Sequence, residues 1–181
     1  MLRVLGHFCG VNRQPIAIDG TSFQVPGVAG LRFAALALSS KAAPYSPHRD
    51  NPVPGDNIGI VATDERSGKR LFYAPGLGQI TPPVFDAMAS ADCVLVDGTF
   101  WTDDEMPSLG VSAKRAREIG HLPQSGPGGM IEWMAKLPAG TRRMLIHINN
   151  TNPILDEDSA ERAVLTHAGI EVCADGMAIE L

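Results

Sequence analysis

Two short apolar runs constrain the fold of this chain more than any other feature. They lie at 93–96 (Cys-Val-Leu-Val) and 144–146 (Met-Leu-Ile), and each indicates a buried strand because apolar residues follow one another without interruption. A predicted helix precedes each run, over 81–91 and 130–137. Since helices and strands that alternate in this order form a largely parallel sheet, the second half of the chain predicts an α/β fold.

The first half of the chain predicts antiparallel strands instead. Residues 40–55 contain four prolines and predict a long irregular loop, and loops of this length inside a domain are usually functional or mobile. The strands on either side of this loop are short and end at turn sequences. They are a hairpin over 16–25 that turns at Asp19–Gly20, a strand over 31–39, and a strand over 57–63 paired with 70–73.

The end of the chain predicts a helix followed by a hairpin. The helix covers 159–168 with Ser159 as its N-cap, and the hairpin covers 172–181 with its turn at Asp175–Gly176. Taken in order, the elements predict a mixed sheet with helices on one face. Since no helix is predicted before residue 81, the other face of the sheet would be free to pack on a further layer.

The composition of the chain excludes several classes of protein. The chain has 181 residues and a net charge of −5, which argues against a nucleic-acid-binding surface rich in lysine and arginine. Its three cysteines are odd in number and far apart, which indicates a reduced cytoplasmic protein without a disulfide framework. No apolar run approaches the roughly 18 residues that span a membrane. We therefore expect a cytoplasmic protein with no nucleic-acid or membrane partner.

Asp97 and His147 directly follow the two buried strands. Ionisable residues at the carboxyl ends of neighbouring strands are typical of sites in α/β proteins. Asp97 is either a cap of the following turn or a carboxylate that binds a metal or orients a histidine. His147 is either a metal ligand or a buried, hydrogen-bonded histidine. Asn149 and Asn150 either satisfy the loop backbone or orient the imidazole of His147.

His121 lies between a glycine and a loop rich in glycine, proline and serine. A neutral imidazole there could act as a general acid or base, and the simpler alternative is a loop histidine bonded to the backbone. The acidic run 103–105 indicates a solvated helix start rather than a set of metal ligands. A closed metal site needs three or four ligands, so one histidine and one aspartate do not form one by themselves.

Three motifs give the chain its resemblance to the pyrroloquinoline quinone (PQQ) biosynthesis protein B family. They are residues 97–106 (DGTFWTDDEM), Gly120–His121, and residues 146–155 (IHINNTNPIL). The resemblance covers nearly the whole chain. Shorter matches lie at 55–57 (Gly-Asp-Asn), 158–162 (DSAER), 168–169 (Ala-Gly) and 175–177 (Asp-Gly-Met).

The resemblance implies a metallo-β-lactamase-like αββα sandwich, which is built from two similar halves. Members of this family are longer than this chain, so residues 1–181 would form a single partial domain, mainly the C-terminal half of the fold. The N-terminal half would carry a cysteine-rich structural zinc segment and a degenerate metal-binding loop. Because half a sandwich exposes an apolar sheet face, we also expect either aggregation or pairing with a second copy in a homodimer.

The resemblance also implies roles for the three candidate residues. His147 matches the last metal-binding histidine of the superfamily, and Asp97 and His121 resemble the acid/base pair that hydrolytic relatives place beside the metal. The metal-bridging aspartate of the superfamily would fall within 73–76 (Tyr-Ala-Pro-Gly), where this sequence has none. This difference argues against dinuclear zinc hydrolysis and suits a single iron ion, with zinc as the alternative and an incomplete ligand set in this chain.

The function implied by the resemblance is a part in PQQ biosynthesis. One expectation is an iron-dependent hydroxylation of a small-molecule PQQ precursor, the Glu–Tyr unit derived from a peptide. A second is a non-catalytic carrier that moves PQQ or its precursor toward the periplasm. A third is a metal-dependent hydrolase, which the pairing of Asp97 with His121 favours and the missing aspartate opposes.

Overall fold

One seven-stranded sheet organises the chain, with its strands in chain order. In the computed structural model, which describes residues 2–181, the sheet is flanked by short helices. The strands are β1 (Asp19–Phe23), β2 (Leu31–Ala37), β3 (Ile58–Asp64), β4 (Arg70–Ala74), β5 (Cys93–Asp97), β6 (Arg142–Ile146) and β7 (Ile170–Val172). The helices are α1 (Leu2–Phe8), α2 (Pro82–Ala89), α3 (Glu105–Ser108), α4 (Ala116–Ile119), α5 (Met130–Met134) and α6 (Ala160–His167), with a 3-10 turn at Pro153–Leu155.

The sheet changes from antiparallel to parallel at β4. Strands β1 to β4 pair antiparallel, whereas β4 to β7 pair in parallel. Parallel neighbours need a crossover, and helices α2, α5 and α6 immediately precede β5, β6 and β7. The predicted α/β fold with a mixed sheet is therefore confirmed. Within residues 2–181, no helix is long and apolar enough to cross a membrane.

Helices α2, α5 and α6 cover one face of the sheet. Phe72, Val94 and Leu145, on three adjacent strands, are fully buried in a cluster that includes Met88 of α2 and Met130 of α5. Burial of side chains of this size stabilises a fold by roughly 1.5–3 kcal/mol each. This face therefore forms the core that fixes the ends of β5 and β6.

The opposite face of the sheet is more exposed. Tyr73 is 40% exposed on this face, and Leu95 and Ile146 are only partly buried. The segment after β7 borders them, because Met177 and Ile179 line a cavity together with Leu95 and Ile146. The expected arrangement, with helices on one face and a second face left for packing, agrees with this difference in burial.

The hairpin predicted over 16–25 is wrong. Asp19 and Gly20 lie inside β1, which pairs with β2, rather than at a turn. Gly20 has a φ of 89° where the register shifts between Asp19 and Ser22. A glycine with positive φ suits a β-bulge as well as a hairpin turn, so the Asp-Gly pair alone does not distinguish these two structures.

The hairpin predicted over 172–181 is also wrong. Ile170–Val172 forms β7, parallel to β6, and the N–H of Cys173 extends the pairing to the carbonyl of Leu145. A turn forms at 174–177 as predicted, but no strand follows it among the remaining described residues. The backbone N–H and C=O groups at the edge of β6 need hydrogen-bond partners, and residues 170–173, which precede the turn, supply them.

Candidate functional site

The three side chains singled out by the sequence meet at the carboxyl ends of β5 and β6. Asp97 is the last residue of β5, His147 directly follows β6, and His121 follows Gly120 at the end of α4. One ligand-type atom from each residue lies within 4.8 Å of the other two. The residues converge because β5 and β6 are parallel neighbours whose carboxyl ends reach the same edge of the sheet.

Asp97 is fully buried and accepts four hydrogen bonds. Its Oδ2 accepts from the N–H of Leu77 at 2.9 Å and from Nδ1 of His121 at 2.6 Å. Its Oδ1 accepts from the N–H and the hydroxyl of Thr99, at 3.0 and 2.5 Å. Burial opposes ionisation, yet the hydrogen bond with His121 and the nearby imidazole of His147 lower the pKa of Asp97 overall. With its acceptor positions occupied, this carboxylate anchors the histidines and is a poor metal ligand.

The hydrogen bonds to Asp97 and Thr99 fix the tautomers of both histidines. Nδ1 of His121 donates to the Asp97 carboxylate. The Thr99 hydroxyl uses its proton on Asp97, so its oxygen accepts from Nδ1 of His147 at 2.8 Å. In their neutral forms both rings therefore carry the proton on Nδ1 and the lone pair on Nε2. The rings stack with centroids 5.4 Å apart, so both imidazoles belong to one cluster with Asp97.

His147 has an unusual backbone and an accessible ring. Among residues 2–181 it is the one non-glycine residue with a positive φ, 58°. Such conformations cost free energy and cluster at functional sites. Its side chain is 54% exposed, and Nδ1 lies 3.8 Å from Oδ1 of Asp97. The interaction with the Asp97 carboxylate raises the pKa of His147, and partial burial opposes that rise.

Thr99 is the residue that the sequence analysis missed. Its hydroxyl lies within hydrogen-bond distance of Asp97, His121 and His147, the last two at 3.1 and 2.8 Å. It is buried, with 6% exposure, and lies two residues after the end of β5. A hydroxyl two residues after a strand-end carboxylate is the only sequence signal that could have indicated this role.

We expect Thr99→Val to weaken the site, whereas Thr99→Ser should largely preserve it. Valine keeps the shape but leaves Nδ1 of His147 without an acceptor and Asp97 without one donor, at a cost of about 1–2 kcal/mol in unfolding free energy. Urea unfolding measures this loss, and ¹⁵N chemical shifts of the imidazoles report the tautomers. If valine leaves the His147 tautomer unchanged, Thr99 has no positioning role.

The acidic run 103–105 is a helix start as predicted, since α3 begins at Glu105, but the prediction that it is solvated is wrong for this residue. Glu105 is 6% exposed. Its carboxylate accepts from the N–H of Trp101 at 2.6 Å and from the hydroxyl of Thr151 at 2.5 Å. These bonds join the loop after β5 to the loop after β6, and so fix the spacing of the two strand-end residues.

Amide side chains complete the support of these loops. Gln124 and Asn152 both donate to the carbonyl of Gly98, at 2.6 and 3.1 Å. The N–H of Asn149 donates to the carbonyl of Thr99 at 3.1 Å, and its side chain donates to a neighbouring hydroxyl. Of the two alternatives for Asn149, this arrangement matches satisfaction of the loop rather than orientation of the imidazole.

Two cavities border His147. One, of about 430 Å³, is also lined by His121 and is bounded by Tyr73, Pro75 and Gly76. The other, of about 660 Å³, lies along the more exposed sheet face and does not include His121. Only the first presents both imidazoles, so it is the candidate substrate cavity. Like the sequence, it has no carboxylate at 73–76.

Comparisons with known proteins match the sequence and the fold of this chain. The family profile of the beta-lactamase superfamily domain matches residues 1–148. Coenzyme PQQ synthesis protein B of Azoarcus sp. (strain BH72) is 64% identical over 178 residues, covering 98% of this chain and 58% of that protein. The protein of the same name from Methylobacillus flagellatus is 60% identical over 182 residues, covering all of this chain and 59% of its own length.

A solved structure agrees with these sequence matches. The crystal structure of Zn(2+)-bound PqqB from Methylobacterium extorquens superposes with a TM-score of 0.87 at 34% identity, over 99% of this chain and 60% of that one. The chain therefore spans about three fifths of the length of the relatives that it matches. It belongs to the beta-lactamase superfamily and, within it, to the coenzyme PQQ synthesis protein B family.

Proposed function

We propose that this chain contributes to PQQ biosynthesis, with His147 as a metal ligand and His121 as a general acid or base. The observation that carries the proposal is the pair of imidazoles held through Nδ1 by Asp97 and Thr99, while neither Nε2 atom makes a hydrogen bond among residues 4–181. The names of relatives at 60% and 64% identity support the biosynthetic role. The zinc-bound state of the Methylobacterium extorquens protein supports a metal.

The donor set suits a metal ion bound through Nε2 of His147. The ring is 54% exposed, and the Thr99–Asp97 pair behind Nδ1 fixes its orientation, as partners of metal-binding histidines commonly do. Asp97 is saturated with hydrogen bonds, and residues 73–76 offer no carboxylate, which disfavours a dinuclear zinc centre. Further ligands would come from another segment of a longer protein or from a second copy.

A single iron ion fits this arrangement, with zinc as the alternative. Iron, when bound, supplies the redox chemistry that hydroxylation of an aromatic ring by dioxygen needs. The substrate we propose is the Glu–Tyr precursor derived from a peptide. Nε2 of His121, in the cavity wall, would accept a proton from the phenol of this precursor. Asp97 on Nδ1 would stabilise the imidazolium that results, as buried carboxylates behind catalytic histidines do.

A carrier of PQQ or its precursor is the second candidate. The cavity of about 430 Å³ favours it, because this volume is within the range of small-molecule sites. A carrier needs the cavity but no metal, so metal binding distinguishes the two candidates. The hydrolase alternative is weaker, since the missing carboxylate at 73–76 removes a ligand that hydrolytic relatives use.

The test of the metal role is His147→Asn, compared with the parent chain. Asparagine tolerates the positive φ at this position and can still donate to Thr99, so the fold should persist. We expect the affinity for Fe²⁺ or Zn²⁺ to fall by at least about 100-fold, as measured by metal titration and elemental analysis. The control, His167→Asn, changes an exposed histidine in the last turn of α6 and should bind metal as the parent does.

Either of two results would contradict the metal role. One is a His147→Asn chain that binds metal as tightly as the parent. The other is a longer protein of this family, complete with the further ligands, that binds neither ion at any concentration tested. The second result would favour the carrier, provided that the chain still binds a precursor-like ligand.

A further inference from the structure

The wall of the candidate substrate cavity combines two imidazoles with two cationic side chains. His121 and His147 line it, and the long loop between β2 and β3 contributes Lys41 and Arg49. Neither aspartate nor glutamate lines this cavity. In a chain with a net charge of −5, a cavity whose only formal charges are positive is a local exception. The charge at this wall therefore favours an anionic ligand.

Neither cation has a carboxylate partner within the part of the chain that the structure describes. Four other basic side chains do pair with carboxylates, namely Arg32, Lys69, Arg115 and Arg142. Among residues 4–181, no hydrogen bond or ion pair involves the ammonium of Lys41, and the guanidinium of Arg49 donates only to the carbonyl of Ala42. Both side chains thus keep donors available to a ligand.

The loop that carries Lys41 is held against the histidine end of the site. The Ser40 hydroxyl donates to the carbonyl of Gly120 at 2.5 Å, directly before His121. The Asn57 side chain donates to the Lys41 carbonyl at 3.1 Å. The backbone around Lys41 is therefore fixed relative to the imidazole, although the loop has no regular secondary structure. Because this backbone is already fixed, only the side chain of Lys41 has to be ordered when a ligand binds.

We propose that Lys41 and Arg49 form a subsite for the carboxylate groups of the substrate. The proposal rests on the proposed function in taking the histidines as the reactive end of the cavity. A ligand would place its carboxylates at the two cations and its body along Tyr73 and Pro75, toward the imidazoles. Arginine binds carboxylates through paired N–H groups, and lysine acts as a point charge. The subsite selects an acidic small molecule of dipeptide size, which the volume of about 430 Å³ accommodates.

The test measures binding of the dipeptide glutamyl-tyrosine to the full chain without added metal, by calorimetry or NMR titration. Lys41→Gln and Arg49→Gln should each weaken binding by about tenfold. The matched controls are Lys114→Gln and Arg66→Gln, which remove the same charges at exposed positions outside the cavity. These controls should bind as the parent does. Arg49→Lys keeps the charge and a donor for Ala42, so it should recover part of the affinity. This variant separates the loss of the charge from a folding defect caused by the substitution.

The outcomes separate this subsite from the metal role. Equal affinity in the parent, Lys41→Gln and Arg49→Gln chains would overturn the subsite. Inorganic phosphate that binds the parent more tightly than the dipeptide would also overturn it, because the site would then be built for phosphate. Dipeptide binding that depends on the two cations supports the subsite even in a chain that binds no metal, since the titration needs none.

Discussion

Asp97→Asn is expected to lower the free energy of unfolding by about 3 kcal/mol, although the side chain keeps its size. Four donors surround the carboxylate, from Leu77, Thr99 and His121, and asparagine can accept from only one side. On the other side its amide would place N–H groups against N–H or O–H groups. Breaking a buried, hydrogen-bonded charge typically costs about 3–5 kcal/mol. In a chain of this size, the loss corresponds to a fall in Tm of roughly 6–12 °C.

Urea unfolding of Asp97→Asn, with Asp104→Asn as the control, measures this effect. Asp104 is exposed and seven residues further along the same loop, so its loss should change stability by less than about 0.5 kcal/mol. A loss below about 1 kcal/mol for Asp97→Asn would mean that the four hydrogen bonds do not persist in solution.

The stabilisation by Asp97 should also depend on pH in a defined direction. The pKa of this group in the folded chain is below its ordinary value of 3.8, so the folded state favours the ionised form. The advantage of the parent over Asp97→Asn is therefore fully present above about pH 4 and is lost as the pH falls through the lowered pKa. If the free energies of unfolding of the parent and Asp97→Asn differ by the same amount at acidic and neutral pH, this prediction is contradicted.

The same substitution tests how the histidines are held. With its amide nitrogen in the position of Oδ2, asparagine would donate to Nδ1 of His121, so the proton of the ring would move to Nε2. His121 would then lose the lone pair that the proposed function requires. Imidazole ¹⁵N shifts distinguish this change of tautomer from a simple loss of stability. A change of tautomer exchanges the shifts of the protonated and unprotonated nitrogens of His121, whereas a loss of stability alone would not.

The site residues at the ends of the strands were predictable because the pattern that identifies them lies in the neighbouring sequence. Uninterrupted apolar residues identify β5 and β6, and the first polar residues after them are Asp97 and His147. The parallel order of the strands then follows from the helices that precede them. Hydrophobic patterning thus predicts which side chains reach the same edge of the sheet.

The partners of these side chains were not predictable in the same way. In the sequence, Glu105 is the last of three consecutive acidic residues, a pattern that indicates exposure. In the structure it is buried and bonded to Thr151, 46 residues later. Thr99 likewise acquires its role from His147, 48 residues away. Nor does local sequence show that Lys41 and Arg49 border the imidazoles, since a loop brings them there. Such contacts depend on tertiary structure, whereas patterning reports only the local chain.

Gly120→Ala is expected to destabilise the chain by about 3 kcal/mol and to disturb the wall of the substrate cavity at Lys41 and His121. Gly120 ends α4 with a φ of 97°, a conformation that costs alanine roughly 1 kcal/mol or more. An added Cβ would also lie inside van der Waals contact of the backbone nitrogen of Lys41, and 2.7 Å from Oγ of Ser40. Because backbone atoms cannot rotate away, overpacking adds about 1–3 kcal/mol.

Gly110→Ala separates these two costs. Gly110 has a φ of 68° and nothing within 4 Å of an added Cβ, so alanine there should cost about 1 kcal/mol from backbone strain alone. The excess loss in Gly120→Ala then measures the contact between the loop carrying Lys41 and the segment carrying His121. The same variant should weaken glutamyl-tyrosine binding, since it displaces either Lys41 or His121, while Gly110→Ala should bind as the parent does. Equal losses of stability in the two variants would show that the loop is not packed against Gly120, and Lys41 would then lack the fixed position on which the carboxylate subsite depends.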